Sequence, residues 1–166
     1  MSQLTPEQRA AQMTMSAKIT KMFSYGLPVV LLILFALYSL VIWGSFNFGL
    51  GARTTFGQVF AVSWYASVPY LIASLLGIIT VLFGANVDAY DIKNPVGTNL
   101  AYYLPDAAPM VKALLVQLDL IRLWSLVLMI LGMAIVAKKT IMQSAVVVLI
   151  WWVVGLVFGL VGAAFS

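Results

Sequence analysis

Leu27-Pro28-Val29-Val30-Leu31-Leu32-Ile33-Leu34-Phe35-Ala36-Leu37-Tyr38-Ser39-Leu40-Val41-Ile42-Trp43-Gly44-Ser45-Phe46 carries no charged side chain from end to end. A bilayer's hydrocarbon core is about 30 Å thick and an α-helix rises about 1.5 Å per residue, so a stretch of about 20 apolar residues is long enough to cross it. Three more stretches of the same kind follow: Phe60 to Phe83, Leu118 to Ala137 and Ala145 to Phe165. The sequence is therefore read as all-α, a polytopic bundle of four transmembrane helices preceded by an N-terminal amphipathic helix.

Composition agrees. The 166 residues are 63% hydrophobic and 8% charged, with mean hydropathy +1.06, too few polar groups to clothe a water-facing surface. The polar opening, Met1 to Ser24, followed by a full-length apolar stretch does not fit a cleaved leader. Cysteine and histidine are both absent. Sulfur-based metal sites, disulfides, thiolate nucleophiles and the usual base near neutral pH go with them, so no catalytic, cofactor-binding or metal-ligating residue is expected. The net charge of +4 is scattered and lacks the basic stripe of a nucleic-acid binder.

Two regions are expected, residues 1–24 as an interfacial or amphipathic helix and 25–166 as a four-helix membrane domain with a long loop at 84–106. Thr5, Pro6 and Gln8 form a helix start signal. Met15, Ile19, Met22 and Phe23 then fall on one face, with Arg9, Lys18 and Lys21 available to headgroups. Gly26 and Pro28 are expected to break this helix before the first span. Trp43 to Gly49 closes that span with rings at headgroup level and glycines for a turn. Thr55 and Gln58 make a second capping box, and Pro69 predicts a kink in the second span, with a polar neighbour such as Ser67 nearby.

The loop is rich in turn residues, including Asn94-Pro95 and Gly97. Asn86, Asp88, Asp91 and Asn94 lack the glycine and terminal glutamate of a calcium loop. Tyr90, Tyr102, Tyr103 and Leu104 are expected to tether it to the bundle or the interface. Asp106 is expected to cap a third helix that could run unbroken to Ala137, its first part projecting from the membrane or lying at its face. Asp119 and Arg122, three apart, can pair on one side of that helix. Lys138 and Lys139 close it, and Thr140 with Gln143 supplies a third capping box, so the last two spans form a hairpin. Gly155, Gly159, Gly162 and Ala163 form a small-residue stripe on the last helix that suits packing within the chain or dimerisation. An amino terminus in the cytoplasm gives five basic residues inside (Arg9, Lys18, Lys21, Lys93, Lys112) against three outside (Arg53, Lys138, Lys139), which leaves orientation open.

Several runs resemble the bacterial branch of the Yip domain family, the Ypt/Rab-interacting membrane proteins. They are Asn47 to Arg53, Phe56 to Val59, Ala61 to Pro69, Asn94 to Asn99, Leu118-Asp119 and Trp124 to Leu128, within a likeness covering about Tyr25 to Ala164. Members usually have five spans, so the resemblance implies a form lacking the first. Eukaryotic relatives act in vesicle trafficking through small GTPases, and some bacterial relatives occur beside ABC exporters of the macrolide-exporter type. The implied role is a non-enzymatic accessory or scaffold subunit of a membrane complex, an ABC exporter among the choices, in the bacterial inner (cytoplasmic) membrane. A small transporter or channel subunit is the alternative, and an intramembrane enzyme ranks third. Implied partners are membrane lipids and other membrane proteins, an ABC transporter permease or a second copy, with no nucleic acid and no cofactor. The residues singled out for partner contact or packing are Asn94, Pro95, Gly97, Asn99, Asp119, Arg122, Gly155 and Gly159.

Overall fold

The computed structural model describes residues 6–83, 97–104 and 106–164, with the side chains of 6–12, 19, 22–24, 163 and 164 outside the description. All regular elements among the described residues are helical. By contacts the chain divides into two units, 1–39 and 40–166.

In the first unit lies most of α1, Pro6–Gly44, a continuous helix with Pro28 inside it. The expected break at Gly26 and Pro28 does not occur. Proline removes only one rung of the hydrogen-bond ladder, and in a long apolar helix the flanking rungs hold the geometry. Met13 and Met15 are exposed, as are Lys18 and Lys21; the side chains of Ile19, Met22 and Phe23 of the expected apolar face are outside the description, and Thr5 of the start signal lies outside the described residues.

The second unit holds the end of α1, a π-helical turn Ser45–Gly49, α2 (Phe56–Ala66), α3 (Val68–Phe83), a 3-10 turn Leu100–Tyr103, α4 (Pro109–Gln117), α5 (Leu120–Ala137) and α6 (Ile141–Ala164). Four stretches are long and apolar enough to cross a membrane: Tyr25–Gly49, Phe56–Phe83, Leu120–Ala137 and Ile141–Gly162. Within them the buried share is greatest on α5, at 28%, and smallest on α6, at 6%. Helix α5 is accordingly the hub, packing against α2, α3 and α6. Ser125 meets Ala66 and Gly132 meets Val62, so α2 and α5 run antiparallel. A Cβ at Gly132 would lie 2.7 Å from Val62 Cγ1, which makes its missing side chain the condition for that approach. The core joins Ile42 and Phe46, Val59, Met129 and Met133, Ala137 and Val148.

Local sequence explains the connections. Gly51, at φ +60°, turns the chain after the π-helical turn. Asn47 clamps the far side of that loop, its Oδ1 accepting from Thr54 N at 2.9 Å and its Nδ2 donating to Thr54 O at 2.9 Å. Trp43 Nε1 donates to the same carbonyl at 2.9 Å. Thr55 and Gln58 form the expected capping box, and Thr140 and Gln143 exchange the same two bonds at 3.1 and 3.2 Å. Between α5 and α6, Lys138 takes the left-handed conformation at φ 50°, and Lys139 N returns to Ala134 O at 3.1 Å. This is the six-to-one closure of a Schellman turn, and it makes the hairpin tight.

Two helices are interrupted. The proline kink expected in the second span is a full break: Ser67 separates α2 from α3. Tyr70 N bonds Ser67 O at 3.0 Å instead of reaching Ala66 O, and the released Ala66 carbonyl accepts a hydrogen bond from Ser125 Oγ on α5. Ser67 Oγ covers Trp64 O at 2.7 Å. The third expected helix is likewise two helices, α4 and α5, divided at Leu118-Asp119. Asp106 does not cap α4. Pro109 holds Ala108 extended, at φ −54° and ψ 146°, so the helix starts beyond the reach of the aspartate.

Candidate functional site

Asp119 is the centre of the most concentrated polar cluster described. It stands one residue before the span that begins at Leu120, is extended at ψ 133° and caps α5. Its Oδ1 accepts from the backbone N–H groups of Ile121 at 2.8 Å and Arg122 at 3.3 Å. Its Oδ2 accepts from Asn99 Nδ2 at 3.0 Å and from Thr98 Oγ1. Leu120 N closes the contact by donating to Thr98 O at 3.0 Å. A carboxylate has about four lone-pair positions, and here four donors occupy them.

The loop side is built for that fit. Asn99 caps the 3-10 turn by accepting from Tyr102 N at 3.2 Å. Tyr103 donates its hydroxyl to Gly97 O at 3.1 Å, and the rings of Tyr102 and Tyr103 stack edge to face at 5.3 Å. A Cβ at Gly97 would lie 2.8 Å from the Tyr103 hydroxyl and 3.2 Å from the Tyr102 ring, so any side chain there displaces the two tyrosines.

Asp119 and Asn99 are both buried. Burial pushes the Asp119 carboxyl up, but the hydrogen bonds from Thr98, Asn99, Arg122 and Ile121 together outweigh it and hold the group below the usual aspartate value. The expected side-chain pairing of Asp119 with Arg122 is not what forms. As the cap residue, Asp119 turns its carboxylate to the backbone of the first turn, and the Arg122 guanidinium donates instead to Gln117 Oε1.

Of the residues singled out from sequence, Gly97, Asn99 and Asp119 come together and Arg122 adjoins them. Asn94 and Pro95 lie outside the described residues. Gly159, on α6, reaches the edge of the cluster, since a Cβ there would stand 3.3 Å from Gln117 Nε2. Gly155 faces open space, with nothing within 4 Å of a Cβ built on it. Thr98 and Gln117 were missed; Thr98 carried a signal in its place beside Asn99, whereas Gln117 carried none. Elsewhere in the spans, Ser39, Ser63, Ser74 and Thr80 each bond a carbonyl four residues back at 2.9 Å, leaving Ser144 Oγ as a buried hydroxyl without a partner among the described residues. No group of three or more Asp, Glu, His or Cys that could hold a metal occurs among the described residues.

Four apolar crossings with internally bonded polar groups define a multi-pass α-helical integral membrane protein, its outer helix faces in contact with lipid. The chain belongs to the Yip1 domain family, whose sequence profile matches residues 2–163. No curated protein and no solved structure matches it.

Proposed function

We propose that the chain is a non-enzymatic accessory or scaffold subunit of a complex in the cytoplasmic membrane of a bacterium, with an ABC-type exporter as its partner. The observation that supports this reading is the occupancy of Asp119: its carboxylate accepts four intramolecular hydrogen bonds. A group so fully engaged serves to fix structure rather than to relay protons or ions, and the other polar side chains of the spans bond largely within their own helices. The spans also present extensive apolar faces, and on α6 the Gly155 surface is open to close approach by another helix.

Purification in mild detergent tests the reading. A tagged chain should retain an exporter permease, deletion should lower export, and Gly155→Leu should weaken retention with the thermal transition unchanged. A chain that is always recovered alone, with export unaltered by its deletion, overturns the proposal.

A further inference from the structure

Between the spans ending at Phe83 and beginning at Leu120, the 3-10 turn and α4 form an elbow whose outer surface is apolar. Met110, Val111, Leu114 and Leu118 are 52%, 45%, 41% and 51% exposed. Their spacing places them on one side of α4, while the half-buried Ala113, Leu115 and Val116 turn the other way and the helix packs on α6 and the 3-10 turn. Tyr102 and Tyr103 extend the outer surface, also exposed.

The elbow adjoins two of the apolar spans. Gln117, its last helical residue, lies against Gly159 of the α6 span. Leu118 stands two residues before the α5 span starts at Leu120. The C-terminal end of α4 therefore adjoins the first turn of the α5 span, and its exposed face continues into that of α5 through the exposed Leu120 and Trp124.

We infer that the elbow is an interfacial membrane anchor, with the outer face of α4 immersed in the headgroup and upper acyl region of the phospholipid leaflet and Tyr102 and Tyr103 at headgroup level. The occupant is lipid because the surface is continuous with the lipid-facing spans. A short amphipathic helix lying in the plane of the interface buries its apolar side about 5–10 Å into that boundary, and tyrosine rings with one polar tip suit the level above it. The elbow thus seals the Asp119 cluster beneath a lipid-embedded cover. This inference does not depend on the accessory-subunit reading.

The chain has no cysteine, so single substitutions Val111→Cys, Leu114→Cys and Leu118→Cys can each carry a nitroxide label in the full-length protein, reconstituted into liposomes of phosphatidylcholine and phosphatidylglycerol. Power-saturation electron paramagnetic resonance then compares collision with oxygen, which concentrates in lipid, and with a water-soluble nickel chelate. Oxygen accessibility should exceed nickel accessibility several-fold at Leu114 and Leu118, with Arg53→Cys showing the reverse. High nickel accessibility at the α4 positions would mean that water covers the face. Low accessibility to both would mean that protein covers it, a second copy or a partner, and either result overturns the inference. Met110→Cys and Tyr103→Cys provide replacement positions if a variant loses its elution profile in detergent.

Discussion

The break at Ser67, inside a span, and the break at Leu118-Asp119, at a span's edge, end and begin helices in opposite chemical senses. Where α2 ends, the chain releases a carbonyl, and hydroxyl donors cover the end: Ser67 on Trp64 O and Ser125 on Ala66 O. Where α5 begins, the chain releases N–H groups, and a carboxylate accepts two of them. The difference reflects which half of the peptide group a helix end leaves open. It also reflects location. A neutral hydroxyl can sit within the span Phe56–Phe83, whereas the Asp119 charge stands at a span's edge and draws two further donors from the loop, consistent with the cost of a charge inside hydrocarbon.

Removing the carboxylate is the severest way to break the second arrangement. Asp119→Ala forfeits a helix cap, worth about 1–2 kcal/mol, and strands Thr98 Oγ1 and Asn99 Nδ2, each buried donor left unpaired costing about 1–3 kcal/mol less whatever water restores. A loss of about 3 kcal/mol is expected, read as a shift in unfolding on titration with denaturing detergent, together with exposure of residues 97–104 in hydrogen exchange. A shift confined to a few tenths would show that the loop docks by its tyrosines alone.

Gly97→Ala probes the same dock from the loop side. The new methyl group collides with the Tyr103 hydroxyl and the Tyr102 ring, and because the hydroxyl end can move the cost should be about 1–2 kcal/mol. Tyr103→Phe in the same chain, lacking the colliding oxygen, should recover part of that loss in the same titration.

Asp119→Asn separates cap from charge. Asparagine caps a helix as well as aspartate does, but its amide nitrogen would meet the Asn99 Nδ2 donor, so about 1 kcal/mol is expected at neutral pH. Because the folded-state pKa of Asp119 is lowered, its carboxylate contributes stability above the ordinary aspartate value, and that contribution is lost as the pH falls through the folded value. The gap between the native chain and Asp119→Asn should therefore stay constant near pH 7 and narrow below about pH 4. A gap that widens on acidification would reverse the assigned direction.

Of the two breaks, the first was legible in sequence as a kink and the second was not, for physical reasons. Pro69 announces its own break because the missing N–H is written in the residue type. Asp119, with Arg122 three residues on, instead fits a helical salt bridge, and nothing in the residues around it shows that Thr98 and Asn99, some 20 residues upstream, fold back to claim its carboxylate. The Thr55-Gln58 and Thr140-Gln143 boxes were legible because every contact they make is local. Gly132 was overlooked in favour of Gly155 and Gly159, since a glycine's value lies in the neighbour it admits, and Val62 is 70 residues away in sequence from Gly132. Pro28 misled in the other direction, because local propensity predicts a break that continuous apolar surroundings do not require.

The smallest expected effect lies at the first break and bears on whether proline or its hydroxyl donors maintain it. Ser125→Ala removes the donor to Ala66 O, and interhelical hydrogen bonds in membranes average about 0.6 kcal/mol, so a loss of that size is expected. Pro69→Ala restores an N–H to the chain and allows the ladder to close through Ser67. If the proline maintains the break, then in the Pro69→Ala background Ala66 O regains Tyr70 N as its donor and Ser125→Ala becomes silent. The two substitutions should then be non-additive by about the same 0.6 kcal/mol. Full additivity would show that packing against α5 holds Ser67 out of the helix and that the proline merely occupies a turn already made, aligning this break with the one at Asp119, where the loop's tertiary contacts secure the cap.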